Sequence, residues 1–118
     1  MANDFKRICT PSIGTSLTTI YGVPAGAGSS ALETIVIGIT MANKTTSGVT
    51  ASIFIDNEDG SNDVYIVKDA SIPAGASLEV MSGNKLVLMN DGSNADNLEA
   101  LSNTANAVDV TVSVLEDV

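Results

Sequence analysis

Histidine is absent from the sequence, and cysteine and aromatic residues are nearly so. The chain has no histidine and no tryptophan, one cysteine (Cys9), two tyrosines and two phenylalanines. Without histidine the chain lacks the usual zinc ligand and the usual general base. A single cysteine excludes an intrachain disulfide. The low aromatic content predicts an aliphatic core and leaves few rings on which bases or sugars could stack.

Basic residues are also scarce, with five lysines and arginines against fourteen aspartates and glutamates and a formal net charge of −9. This balance repels the phosphates of nucleic acids and anionic lipids, so we expect no direct binding to nucleic acid or membranes. No stretch approaches the roughly 20 apolar residues of a membrane span, and the start of the chain lacks a signal-peptide pattern. The sequence therefore predicts a soluble protein that is not exported by the usual route. Its 118 residues predict a single domain.

Two stretches near the middle of the chain alternate with period two, as strands with one buried face do. Ile35, Ile37, Ile39 and Met41 share one face of the first stretch, and residues 49, 51, 53 and 55 share one face of the second. The connection between them, residues 43–48, is polar and ends in glycine, which is typical of a short link between antiparallel strands. The sequence therefore predicts a central β-hairpin formed by residues 33–42 and 49–55.

Shorter stretches with strand composition recur along the rest of the chain. They are residues 16–21, 64–68, 78–81, 85–89, 96–102 and 108–115. Only residues 95–101 also fit a short helix. This spacing predicts an all-β fold, a single antiparallel β-sandwich or jelly-roll-like domain. The residues expected to lead its core are Ile35, Ile37, Ile39, Ile53, Ile55, Val110 and Val112.

The N-terminal segment, residues 1–14, lacks clean periodicity and is predicted to be an arm or edge strand before a β-sandwich domain at residues 15–118. Proline and glycine mark turns elsewhere. Val-Pro-Ala-Gly at residues 23–26 and Ile-Pro-Ala-Gly at residues 72–75 predict two similar tight turns. Another turn is predicted at Gly83 and Asn84.

Three stretches resemble ligand-binding patterns, and each is better explained as a loop. Residues 26–31, Gly-Ala-Gly-Ser-Ser-Ala, match a loose dinucleotide pattern but precede a strand instead of opening a helix. The acidic stretches 56–63 and 90–96 are rich in the oxygen ligands that calcium prefers. However, Gly60 comes one position too early for the EF-hand spacing. Both acidic stretches are therefore predicted to be solvated loops.

The sequence also does not favour nucleophilic or acid–base catalysis. Cys9 has no histidine to activate it, so it is predicted to be a buried or partly buried thiol. Glu58 and Asp59 are adjacent and should point apart, whereas glycoside hydrolysis needs two carboxylates facing one cleft. We therefore predict no catalytic residue, no cofactor or metal site, and a protein that is not an enzyme.

Five segments share their order with a known group of proteins. They are Phe5-Lys-Arg-Ile8, Thr19-Ile-Tyr-Gly-Val-Pro-Ala-Gly26, Ile35-Val-Ile-Gly-Ile-Thr-Met-Ala-Asn-Lys-Thr45, Val67-Lys-Asp-Ala-Ser-Ile-Pro-Ala-Gly75 with Leu78-Glu-Val80, and residues 102–116. In this order the chain resembles small virion structural proteins of tailed bacteriophages, particularly those infecting marine cyanobacteria. The resemblance implies a β-sandwich or jelly-roll accessory of the head or tail, without an enzymatic site.

From this resemblance we expect a capsid decoration (cement) protein that binds the phage major capsid protein on the outer surface of the head. The net charge favours the outside, because a chain at −9 would be repelled by packaged DNA. The alternatives are a tail or fibre-attachment component, which would contact tail proteins, and a receptor- or carbohydrate-binding module. Because small sandwiches must protect their strand edges, we also expect a homo-oligomer, either a trimer or a cluster at a symmetry axis. Residues 1–10 are the candidate contact segment.

Overall fold

The computed structural model describes residues 3–81 and 85–117, which form nine β-strands and no helix. The strands are β1 (Asn3–Thr10), β2 (Thr18–Gly22), β3 (Leu32–Asn43), β4 (Val49–Asp56), β5 (Val64–Ile72), β6 (Ser77–Glu79), β7 (Leu86–Asn90), β8 (Asn97–Ser102) and β9 (Val108–Asp117). The stretch that also fits a short helix, residues 95–101, lies mostly in β8. The turn predicted at Gly83 and Asn84 falls outside the described residues. This part of the chain accordingly has no helix that is long and apolar enough to cross a membrane.

The strands form two antiparallel sheets packed as a sandwich, which confirms the predicted fold class. Sheet A has the order β1-β9-β3-β6, with β7 also paired to β3, and sheet B has the order β2-β8-β4-β5. The chain therefore crosses between the sheets at every connection except β4–β5 and β6–β7. This is the strand order of a jelly roll, in which β6 and β7 together take one position beside β3.

The predicted hairpin of β3 and β4 is wrong, because the two strands belong to different sheets. β3 pairs with β6, β7 and β9, whereas β4 pairs with β5 and β8. The connecting residues form a corner that the buried Asn43 side chain fixes: its Nδ2 donates to Ser47 O at 2.8 Å and to Ile72 O at 3.0 Å. A polar connection ending in glycine suits this crossing as well as it suits a hairpin, so local sequence does not separate the two.

A β-bulge at Ile37 reverses which face of β3 points inwards. The register of β3 with β9 shifts between Val36 and Gly38. The inward residues are Leu32, Thr34 and Val36 before the bulge, and Ile39, Met41 and Asn43 after it. Ile37 is 43% exposed and Ile35 is only half-buried, so their assignment to the core is wrong.

The core between the sheets is aliphatic. Of the residues predicted to lead it, Ile39, Ile53, Val110 and Val112 are fully buried, and Ile55 is half-buried against them. The alternation predicted for β9 is confirmed along the strand, and its inward row ends with a buried carboxylate, Glu116. β9 lies between β1 and β3 in sheet A, and every residue on its inward face, from Val108 to Glu116, is buried.

Residues 3–10 of the N-terminal segment form β1, which is one edge strand of sheet A. All eight of its residues pair with β9 in one register, from Asn3 opposite Asp117 to Thr10 opposite Val110. Ile8 packs against the core. Residues 3–10 are therefore part of the sheet.

The two Pro-Ala-Gly segments do not form similar turns. The first continues without a turn through residues 23–25, and the chain reverses at residues 27–29, where Gly26 N donates to Ser30 O at 2.8 Å. In the second, Ala76 N donates to Pro73 O at 3.1 Å, and Gly75 has a φ of +69°. Such a φ favours glycine, so only the second segment uses its glycine as a turn residue.

Candidate interaction surface

Sheet A presents a continuous row of apolar side chains to the outside. Residues directly opposite each other in antiparallel strands point to the same face. Phe5 lies opposite Leu115, Leu115 opposite Ile35, and Ile35 opposite Val87, so the row crosses β1, β9, β3 and β7 without a gap. Ile37 at the bulge and Met89 on β7 extend it. We call these six residues the apolar band.

The apolar band is open to solvent. Phe5 is 73% exposed, Val87 is 57% exposed and Met89 is 47% exposed. Leu115 and Ile35, which lie between Phe5 and Val87 in the row, are half-buried. A groove of about 310 Å³ lies within the band, lined by Glu33, Ile35, Val87, Leu115 and Asp117. Because protein interaction sites commonly expose contiguous apolar surface, the band is the candidate interaction surface of the described residues.

The two sides of the apolar band differ in charge. On one side Glu33 and Asp117 are directly opposite each other on β3 and β9. On the other side Arg7 of β1 lies opposite Ser113. A partner surface should therefore be apolar at its centre and carry cations where it meets Glu33 and Asp117.

A buried polar cluster lies between the sheets, behind the acidic side of the band. The hydroxyl of Tyr21 donates to Glu116 Oε2 at 2.6 Å. Since tyrosine has one O–H, the Thr34 hydroxyl, 2.9 Å away, donates to the Tyr21 oxygen. Glu116 is 2% exposed, and its Oε1 forms an ion pair with Lys6 Nζ at 2.9 Å while accepting no other hydrogen bond.

The environment of this cluster perturbs two titrating groups. Burial raises the pKa of Tyr21, and the hydrogen bond to Glu116 raises it further. The hydrogen bond and charge of Glu116 raise the pKa of the Lys6 ammonium. Lys6 and Glu116 also line a cleft of about 490 Å³ beside residues 24–27. Because Lys6, Tyr21, Thr34 and Glu116 are joined by these contacts, the cluster acts as a structural link between β1, β2, β3 and β9.

Acidic residues are concentrated at one end of the sandwich. All of them except Asp69, Glu79 and Asp109 lie at or near the end formed by the start of β3 and the end of β9. Loss of hydration, then a hydrogen bond to Asp91 and nearby carboxylates, raises the pKa of Glu58. Loss of hydration and the charges of Asp56 and Asp63 raise the pKa of Glu99. We call this region the acidic end.

The two stretches considered as calcium ligands are loops at the acidic end. Residues 56–63 join β4 to β5, and Asp59 and Asn57 accept hydrogen bonds from backbone N–H groups two residues away. The buried Asp96 ties the loops together, accepting from Glu58 N at 2.6 Å and from Met89 N at 2.8 Å. Within residues 3–81 and 85–117, no three His, Cys, Asp or Glu side chains are grouped to hold a metal ion.

The other residues singled out in the sequence are scattered. Cys9 is exposed on β1, so its prediction as a buried or partly buried thiol is wrong. It lies on the outward-facing side of β1, opposite Thr111, which the unclear periodicity of the segment did not reveal. The glycine-rich residues 26–31 form the turn before β3, as predicted for a linker loop. The structure brings none of these together with the apolar band.

Sequence reasoning missed the apolar band because its members were assigned to the core or left unassigned. The available signal was that Ile35, Val36 and Ile37 are consecutive, so both faces of β3 are apolar there. When both faces of a strand are apolar, either other parts of the protein cover both faces or one apolar face is exposed to solvent.

No protein-family model and no curated protein matches the sequence. Among solved structures, the chain is similar to one from Bacillus endospore appendages, described as a novel family of disulfide-linked pili. The TM-score is 0.46 at 14% identity, over 98% of this chain and 85% of that one. It is also similar to a chain of infectious bursal disease virus Gx strain, with a TM-score of 0.50 at 12% identity. That match covers 98% of this chain but 31% of the viral chain, and at such identities the likeness is one of fold alone.

Proposed function

We propose that this protein is a non-enzymatic structural subunit of a tailed-phage virion, and that it decorates the outer surface of the head through the apolar band. The observation that carries the proposal is the band itself, four exposed or half-exposed side chains in register across sheet A with Ile37 and Met89 beside them. A surface of this kind serves to bind another protein.

The fold and the sequence resemblance support the phage assignment together. Jelly rolls recur in viral capsid domains, but also in lectins and cupins, so the strand order alone does not select a function. The segments that resemble phage virion proteins include four members of the apolar band, namely Phe5, Ile35, Ile37 and Leu115. The resemblance therefore covers part of the surface that would bind the particle.

The charges favour the major capsid protein as partner and the outside of the shell as location. The acidic end would be forced against phosphates if the protein lay inside a DNA-filled head. On the outside, Glu33 and Asp117 beside the band would meet lysine or arginine of the coat protein. Binding there would reinforce coat-protein junctions by burying apolar surface rather than by chemistry.

The test is binding of the purified protein to heads of the encoding phage that lack it. Val87→Glu puts a charge into the band at one of its most exposed side chains, so we expect binding at least about tenfold weaker, as for loss of one interface anchor. Val64→Glu is the matched control, since Val64 is 51% exposed on β5 of sheet B. Equal loss in both variants, or no binding of the unchanged protein, would contradict the proposal.

The first alternative is a tail or fibre-attachment component that docks through the same apolar band. Copy number separates the two, because a head decoration protein is expected at hundreds of copies per particle and a tail component at tens or fewer. Quantitative mass spectrometry of purified virions measures it.

A pair of aromatic side chains on sheet B gives the receptor-binding alternative its one structural feature. Phe54 and Tyr65 pack edge to face with ring centroids 5.0 Å apart, and Lys68 Nζ lies 5.5 Å from the centre of the Tyr65 ring. Phe54 is half-buried, but the Tyr65 ring is 43% exposed, and an exposed ring of this kind offers a face on which a sugar can stack. Glycan-array binding that is lost in Tyr65→Ala would favour a carbohydrate-binding module.

A further inference from the structure

The two sheets end in four strand edges, and one of them is long and regular in the described part of the chain. In sheet B, β2 has five residues with a register shift, and β5 has two shifts in its pairing with β4. The edge of sheet A beside β3 is divided between β6, of three residues, and β7, of five. β1 alone pairs through eight residues without a shift. Short, bulged or broken edges resist pairing with another strand, whereas a long regular edge invites it.

We propose that β1 pairs with β1 of a second copy, antiparallel and about a two-fold axis, so that two A sheets join into one continuous sheet. This pairing goes beyond the proposed function and does not depend on it. Addition of a strand to an exposed sheet edge is a recurrent mode of protein association, with main-chain hydrogen bonds as its basis. It yields a two-fold dimer, not the trimer expected from the sequence.

Symmetry limits the register of this pairing. An antiparallel pair related by a two-fold axis sets one residue opposite its own copy. If that residue is Asp4, Lys6 or Arg7, like charges oppose each other across the axis, which is unfavourable. Near the middle of β1 this leaves Phe5 and Ile8.

The register centred on Phe5 is favoured by charge. It sets Asp4 of each copy opposite Lys6 of the other, which gives two pairs of opposite charge, and it forms a ladder over residues 3–7. The register centred on Ile8 sets Lys6 opposite Thr10 and gives no such pair. Opposite charges directly across an antiparallel ladder are stabilising, so the Phe5 register is the one we assign.

The same register removes the most exposed large apolar side chain from solvent. Phe5 is 73% exposed in the single chain. With Phe5 opposite its own copy, the two rings meet on the outer face as a cross-strand aromatic pair. The rows Val87–Ile35–Leu115–Phe5 of the two copies then form one row eight side chains long.

The area of the doubled row matters for binding. Strands about 4.8 Å apart with a rise of about 3.4 Å per residue give each side chain on one face a footprint of about 33 Å², so the six residues of the band cover about 200 Å² per copy. That is well below the roughly 800 Å² that each partner buries in a stable complex, whereas two joined bands, about 400 Å² together, supply about half of it. The dimer therefore presents twice the apolar docking surface of the single chain.

Disulfide trapping in solution tests the pairing and its register. In a Cys9→Ser background, Phe5→Cys should cross-link to its own copy under mild oxidation, because directly opposed residues have Cα atoms within disulfide range. The unchanged chain is the first control: its Cys9 pair would lie about 27 Å apart, eight residues along the strands. Val64→Cys in the same background is the second control, since it is exposed on the edge of sheet B.

Sedimentation velocity on the full chain measures association directly. We expect a monomer–dimer equilibrium whose dissociation constant rises at least tenfold in Phe5→Glu and stays unchanged in Val87→Glu, on the same face but far from the axis. A trimer, a monomer at high concentration, or equal cross-linking at positions 5 and 64 would overturn the proposal. If Phe5→Glu does not fold, the cross-linking pattern still shows whether β1 pairs with β1 of a second copy. Neither experiment on the dimer uses phage heads, so a failure of the β1 pairing is distinguishable from a failure of head binding.

Discussion

Ile37 and Ile39 lie two residues apart on β3 but point to opposite faces of the sheet, because the β-bulge at Ile37 changes the alternation of inward and outward side chains. Ile37 is 43% exposed, whereas Ile39 is fully buried. We therefore expect Ile37→Asp to change the free energy of unfolding by less than about 1 kcal/mol, as exposed substitutions do. Ile39→Asp buries an unpaired charge and should cost several kcal/mol or prevent folding. Urea titration of both variants measures this, and a large loss in Ile37→Asp would contradict the register of β3.

The buried cluster of Tyr21 and Glu116 predicts a loss of stability in alkaline solution. The pKa of folded Tyr21 lies above the ordinary 10.0, so the folded chain keeps a proton that the unfolded chain releases above pH 10. Its contribution is complete below pH 10 and falls as the pH rises further. The pKa of Lys6, raised above 10.5 by Glu116, acts in the same direction.

Urea unfolding between pH 8 and 11 should show this decline, and Tyr21→Phe should make it shallower. The variant should also lose about 1 to 3 kcal/mol at pH 8, since Glu116 Oε2 loses its hydrogen-bond donor. Tyr65→Phe removes an exposed hydroxyl and serves as the control. An unchanged slope in Tyr21→Phe would assign the alkaline loss to other groups.

At the scale of elements, the corner between β3 and β4 depends on one buried amide. Asn43 Nδ2 donates to carbonyl oxygens of Ser47 and Ile72, which join the corner to the end of β5. Asn43→Ala leaves these buried groups unsatisfied and should lower the free energy of unfolding by about 2 to 3 kcal/mol. Asn94→Ala, in an exposed loop, should cost much less. Equal losses in the two variants would show that the amide does not fix the corner.

At the scale of the whole molecule, charge is unevenly distributed along an elongated body of 47 × 27 × 22 Å. Loss of hydration is the first cause of the raised pKa values of Glu58 and Glu99, and the charges of nearby carboxylates at the acidic end raise both further. Asp109, at the opposite end, is paired with Lys44 at 2.9 Å, and this contact lowers its pKa. Added salt should therefore stabilise the folded chain, because it screens more repulsion between carboxylates than attraction within ion pairs.

We expect the urea midpoint at pH 7 to rise when sodium chloride increases from about 20 mM to about 500 mM, because the Debye length then falls from about 20 Å to about 4 Å and repulsion between carboxylates is screened. Glu99→Gln removes one of the repelling charges and should reduce this salt dependence. Lower stability at high salt would mean that ion pairs such as that of Lys6 and Glu116 outweigh the repulsion.

The sequence by itself determined where the strands lie and what kind of fold they build. Alternation of side chains and the turn-forming residues between strands are local properties, so β9, with Val110 and Val112 inward, was predictable from its own residues. The aliphatic composition also determined the chemistry of the core.

Only the tertiary structure decided which strands pair and which face of each is covered. Pairing joins residues far apart in the chain, so a polar connection such as residues 43–48 is compatible with a hairpin or with a crossing between sheets. Where both faces of a strand are apolar, as at Ile35, Val36 and Ile37, periodicity does not say which face is buried. The bulge at Ile37, set by pairing with β9, settled that choice and left the apolar band on the outside.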